Sequence, residues 1–202
     1  NGSKELRMYI NNYSIGFKMK ILIACEYSGK LRDRFIKQGH EVWSCDLLEG
    51  EGEHIDRHIV GDYRDVLNWF KPDMLIGHPP CTHICVSGNA HYANTQKRLD
   101  GIAFFREMWE QDIPKICLEN PVSVVSTKVT KATQYIQPWQ FGHGETKNTG
   151  LWLKGLPKLK PTNIVEGREQ RMHYMSPSPL RSKKRSETYD GIADAITNQW
   201  GA

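Results

Sequence analysis

The chain has 202 residues, 39% hydrophobic and 25% charged, which suits one globular domain with a full core. No apolar run reaches the roughly 18 residues that span a bilayer, so a soluble, cytoplasmic protein with no membrane partner is expected. Five cysteines, an odd number without framework spacing, exclude a disulfide scaffold and suit a reducing compartment, and a net charge of +4 is modest.

Residues 1–18 are polar and aperiodic and begin Asn1-Gly2-Ser3, so they read as an extension or expression remnant ahead of a natural start at Met19. Residues 19–202 are expected to form the single domain. Lys20-Ile21-Leu22-Ile23-Ala24-Cys25 is a continuous apolar run, as in a strand buried on both faces. Glu26-Tyr27-Ser28-Gly29 then makes a turn. Leu31, Phe35 and Ile36 recur at helical spacing up to a stop at Gly39. A second strand, Glu41 to Asp46, ends in an acid roughly 20 residues beyond the turn, the β-α-β plus acid arrangement that holds a nucleoside.

The stretch from Glu51 to Asp56 reads as loop, and Ile59 to Asp62 as a short third strand ending in a further acid. A short helix between Asp65 and Phe70 is stopped by Pro72. Met74-Leu75-Ile76 is the next strand, and Gly77-His78-Pro79-Pro80-Cys81 presents a nucleophile just beyond its end, where open α/β sheets place their chemistry. Val86 to Ala90 looks like a mobile loop, and 94–111 like an amphipathic helix through Leu99, Ile102, Phe105 and Met108.

Lys115 to Pro121 repeats the pattern of strand, polar residues and proline, so two strand ends can bring Cys81 and Glu119 together. A helical or loop region reaches Gln140, and a glycine-punctuated turn from Phe141 runs into a strand ending near Leu153. Proline, lysine and serine make 157–186 irregular. Ile192, Ala193, Ile196 and Trp200 mark a terminal amphipathic helix.

A thiol and a desolvated, protonated carboxyl group suit nucleophilic addition to a heteroaromatic ring: the thiolate adds to an electron-poor carbon and the carboxyl neutralises charge on a ring nitrogen. His78, Cys81, His83 and Cys85 also carry metal donors. Lacking a second ligand pair, and with a competing use for Cys81, they are not expected to bind zinc. The cluster from Arg181 to Arg185, with Lys154, Lys158 and Lys160 upstream, is equally a polyanion-binding patch or a solvated basic stretch.

On Pro80-Cys81 and Glu119-Asn120, in that order and at a similar separation, the chain resembles the cytosine-5 DNA methyltransferase family. Weaker correspondences run from Cys25 to Lys30, at Asp46 and Asp62, and through Phe141-Gly142 followed by 145–149. The resemblance implies a Rossmann-like S-adenosylmethionine-dependent methyltransferase fold, α/β, with a mostly parallel sheet and helices on both faces. It implies Cys81 as nucleophile on a flipped cytosine, Glu119 on ring nitrogen 3 and Lys147 at the pyrimidine oxygen. It implies S-adenosylmethionine held by Glu26, Tyr27, Ser28, Gly29, Asp46, Asp62 and Pro79. Substrate contacts fall to Pro80, Ser87, Asn120, Arg181 and Arg185, and DNA is the implied partner.

The sequence departs from the family at Tyr27 and Lys30, where it has glycines, and at Lys147, where it has arginine. Only residues 154–188 stand where the family inserts its large target-recognition region. This predicts weak sequence specificity, a separate recognition subunit, or a substrate such as RNA, single strands or a free nucleotide. A catalytically silent nucleic-acid-binding module is the remaining alternative. By the same resemblance, a phage or mobile element that modifies its DNA against restriction is a fitting source, acting in a bacterial or phage-infected host cell.

Overall fold

A computed structural model describes residues 18–174, 176 and 181–202. Seven strands form one mixed sheet in the order β3-β2-β1-β4-β5-β7-β6. They are β1 (Lys20–Ala24), β2 (Glu41–Asp46), β3 (His58–Val60), β4 (Met74–Gly77), β5 (Lys115–Pro121), β6 (Gln134–Ile136) and β7 (Thr149–Lys154). The first five are parallel to one another, whereas β7 runs antiparallel between β5 and β6. The fold is therefore α/β with a mostly parallel sheet.

The apolar strands alternate between two cores. Ile21, Ile23, Ile76 and Cys117 face one side, where α1 (Lys30–Lys37) and the terminal helix lie; Leu22, Ala24, Leu75 and Leu118 face the other, under α2 (Tyr63–Trp69) and α3 (Gln96–Trp109). Period-2 alternation buried on both sides explains why the strands read as unbroken apolar runs. Helix α1 stops as its sequence predicts: Gly39 takes a left-handed φ of 87°, its N–H bonds Ile36 O and the His40 N–H bonds Phe35 O, closing a Schellman turn.

Three segments differ from the sequence reading. Residues 134–136 form the edge strand β6, because Gln134–Ile136 finds a partner in β7, which no local pattern reveals. The span 157–186 is not wholly irregular: it contains a helical turn at Arg171–Tyr174 and α4 (Arg181–Ser186). Val86 to Ala90 is folded into consecutive turns, Val86–Gly88 and Asn89–Tyr92. The terminal helix, α5 (Asp190–Trp200), packs as expected against α1.

Trp152 anchors the junction of β5 and β7. It is 0% exposed, meets Phe105 edge to face at 5.1 Å and donates its indole N–H to Thr130 O at 2.7 Å. Replacing it by alanine opens a cavity and orphans that carbonyl, with an expected loss of about 3–5 kcal/mol in denaturant-induced unfolding.

Candidate active site

The order of strands reverses between β1 and β4, and ligands of open α/β sheets bind beyond the carboxyl ends of strands at such a point. The Cys81 turn leaves β4 there. Gly77 leaves room for its neighbours at the strand end: a Cβ there would stand 2.8 Å from Leu118 and press on Met108. His78 N–H then bonds Ala24 O at 2.9 Å, and Cys81 O accepts from the N–H groups of Ile84 and Cys85. Across the register Gly77 pairs with Leu118, so the next residues, His78 and Glu119, emerge side by side.

A cleft of about 670 Å³ opens over this edge, lined by Cys81, Ser87, Pro121, Lys147, Asn148 and Arg185 among others. Lys147 also lines a small adjoining cavity with His78 and Glu119. The structure thus brings Cys81, Glu119 and Lys147 to one place. Burial, with the nearby Cys85 and Glu119, pushes the Cys81 thiol up, while Lys147 draws it partly back. The resting group is therefore a thiol.

Glu119 corrects one expectation. Burial raises its carboxyl as anticipated, but the His78 hydrogen bond, the Lys147 charge and the Thr149 hydroxyl outweigh it and hold the group below the usual carboxylate range. At rest Glu119 is ionised, not protonated.

The supporting residues have settled positions. Asn120 is buried, and its amide donates to Pro79 O at 2.8 Å, tying β5 to the Pro-Pro turn; its side chain serves the backbone there. Pro79 is buried and Pro80 exposed. Ser87 lies on the cleft wall with its hydroxyl 3.2 Å from Cys85 Sγ. Arg185 reaches the cleft, while the side chain of Arg181 lies outside the described residues. Among the described residues no group of three or more His, Cys, Asp and Glu side chains is placed to hold a metal ion.

The expected cofactor residues line the same sheet edge. Glu26 is 6% exposed; its Oε1 accepts from the Lys30 N–H at the start of α1 and from the Ser28 hydroxyl, and its Oε2 is buried without a partner among the described residues. Gly29 holds a left-handed φ of 71°, and a Cβ there would strike Arg32 and Glu51 O. Asp46 accepts from Leu48 N–H, and Asp62 caps α2 and pairs with Arg64 at 2.9 Å. Both acids act electrostatically on Cys25, which takes φ 58° at the end of β1.

Tyr27 packs under the C-terminal segment. It is 5% exposed, and its hydroxyl meets Lys183 O and Glu187, so α4 and the residues after it cover the turn.

Two residues organise the site that the sequence reading gave no part in the chemistry: His78, weighed there only as a metal donor, and Arg98. His78 Nδ1 lies 3.2 Å from Glu119 Oε2. Arg98, buried on α3, donates to His83 O, Asn89 Oδ1 and Cys85 O, and so fixes the segment after Cys81. A signal for it existed: Arg98 continues the stripe of Ile102, Phe105 and Met108. Arg98→Met leaves these acceptors unpaired, and we expect a stability loss of at least about 2 kcal/mol together with faster proteolysis within 82–95.

No protein-family model matches the chain, and no curated protein sequence does. Solved structures do match. One is a prophage-encoded protein of E. coli described as a DNA modification methyltransferase, with 14% identity and a TM-score of 0.47 over 79% of this chain and 56% of that one. A triple mutant of DNMT2 from Spodoptera frugiperda gives 14% and 0.40 over 76% and 55%, and S. pombe Dnmt2 methyltransferase gives 10% and 0.45 over 91% and 65%. The chain spans less than two thirds of each neighbour.

Proposed function

We propose that the chain is an S-adenosylmethionine-dependent cytosine-5 methyltransferase whose nucleophile is Cys81. The observation that carries this reading is that Lys147 lines both the cleft that holds Cys81 and the small adjoining cavity that holds Glu119, with Glu119 and Lys147 both close enough to act on the Cys81 thiol. S-adenosylmethionine, when bound, supplies the methyl group. Glu26 fits it: a buried carboxylate oxygen without a partner among the described residues suits a cationic group of the cofactor, and Asp46, on the same edge, suits ribose hydroxyls.

The chain's own residues perform the rest. The Cys81 thiolate forms a bond to carbon 6, the ring electrons move toward nitrogen 3, and the Glu119 carboxyl gives that nitrogen a proton. Carbon 5 becomes nucleophilic as a result. At rest the pair is thiol and carboxylate, whereas the productive pair is thiolate and carboxylic acid. The two forms hold the same number of protons, so activation leaves the site's proton count unchanged. Lys147, close enough to influence both groups, stabilises the thiolate and is available to the pyrimidine oxygen.

Residues 155–189 carry only short turns and α4 among those described, which supports a substrate presenting an unpaired cytosine over one read through many duplex contacts. The test is transfer of labelled methyl to duplex DNA, single-stranded DNA, RNA and cytidine nucleotides in competition. Label in cytosine carbon 5 is expected, with the single-stranded or flippable substrate preferred. No transfer to any of the four overturns the reading. Glu26→Gln is expected to weaken S-adenosylmethionine binding by about tenfold or more in calorimetric titration, since it removes a buried charge partner.

A further inference from the structure

Several features lie outside the groups just used. A charged cleft around Lys30, Glu145, Arg171 and Asp190 has its acids and bases paired with one another. An aromatic patch at Trp43 and Trp69 carries nothing that says what would cover it. The pair formed by His78 and Glu119 is different, because it joins a titratable group to the reacting carboxyl.

We propose that His78 is the positioning residue for Glu119, holding Oε2 through Nδ1 and relaying the proton that the carboxyl gives to the pyrimidine ring. The inference rests on the function proposed above. Four observations carry it. The parallel register of β4 and β5 sets the two residues side by side although they are 41 positions apart. The His78 side chain is only 10% exposed, so the contact is not a passing surface encounter. Its Nε2 is buried with no hydrogen-bond partner among the described residues. Finally, His78 borders a cavity of about 20 Å³, which has room for about one water molecule.

An imidazole with one nitrogen on a carboxylate and the other free can pass a proton by exchanging tautomers. The titratable and charged groups facing the pair are Cys81 on the turn after β4, Cys117 on β5, Lys147 before β7 and Tyr189 at the start of α5, with the Thr149 hydroxyl on Glu119.

The step balances. The Cys81 thiol sheds its proton to water in the cleft, and His78 Nε2 takes one up from the adjoining cavity, so the site's proton count is unchanged. The imidazolium passes its Nδ1 proton to Glu119, and Glu119 passes a proton to nitrogen 3 as sulfur bonds to carbon 6. His78 is left neutral with its proton on Nε2 and Glu119 is again a carboxylate; after methyl transfer the carbon 5 proton leaves to water in the cleft, sulfur departs from carbon 6 as thiolate, and nitrogen 3 returns its proton through Glu119 to His78 as the thiol is reformed.

The test compares the full-length wild type with His78→Gln and His78→Ala, following methyl transfer and release of tritium from cytosine carbon 5 across pH. Glutamine can still donate a hydrogen bond to Glu119 but cannot titrate. The expected result is a fall in kcat of about 10- to 100-fold for both variants, with KM changed little. The pH profiles of wild type and His78→Gln are expected to differ, because glutamine cannot take a proton at one end and release one at the other. The imidazole nitrogen resonances of His78 should also shift in Glu119→Gln. A His78→Gln protein with wild-type kcat and pH profile overturns the relay while leaving the methyltransferase reading intact. A wild type that neither transfers methyl nor exchanges the carbon 5 hydrogen overturns both.

Discussion

Cys81→Ala is expected to abolish the covalent adduct with 5-fluorocytosine in the presence of S-adenosylmethionine and to lower methyl transfer by at least about 10⁴-fold, since the deleted atom forms the bond. Fluorine at carbon 5 blocks the final elimination, so the wild-type adduct should survive denaturation and appear as a mass increase on the peptide containing Cys81. Equal adduct in wild type and variant would place the nucleophile elsewhere. The same thiol should alkylate more slowly than free cysteine at neutral pH and accelerate as pH rises, because burial disfavours the thiolate. Lys147→Met should slow it further by removing the cation that draws the thiol back down.

Glu119→Gln is expected to lower methyl transfer by about 10²- to 10⁴-fold, the range for loss of a general acid. The pH dependence distinguishes this from a lost hydrogen bond. In the wild type the productive and resting forms carry equal numbers of protons, so the rate should be flat through neutral pH. Glutamine supplies no proton and needs none, so the residual rate should climb with pH as the Cys81 thiolate grows. A residual rate that stays flat would show that Glu119 does not act as the acid.

Much of the sheet was legible because it is local. Lys20 to Ala24 and Met74 to Ile76 are apolar runs between polar boundaries, and a strand buried on both faces leaves that mark in any context. Gly39 and the spacing of Leu31, Phe35 and Ile36 marked α1 and its end in the same way. Strand β6 and helix α4 were not legible, since Gln134–Ile136 becomes a strand only where β7 supplies its partner. The Gln137–Gln140 capping box closes the next turn, but neither residue advertises a strand before it.

The sequence alone determined which residues could react: a cysteine after Pro-Pro and a glutamate before Asn-Pro, each at the end of an apolar strand. Residue type and order carry that information. Tertiary structure decided the charge each group bears at rest, because that depends on neighbours brought by register and packing, namely His78 beside Glu119 and Lys147 near enough to act on both Glu119 and Cys81. It also decided that Tyr27 turns under α4 and that Arg98 holds the segment after Cys81. Hydrogen bonds between residues far apart in the chain leave no period in the sequence, and a carboxyl group's protonation follows the whole of its surroundings.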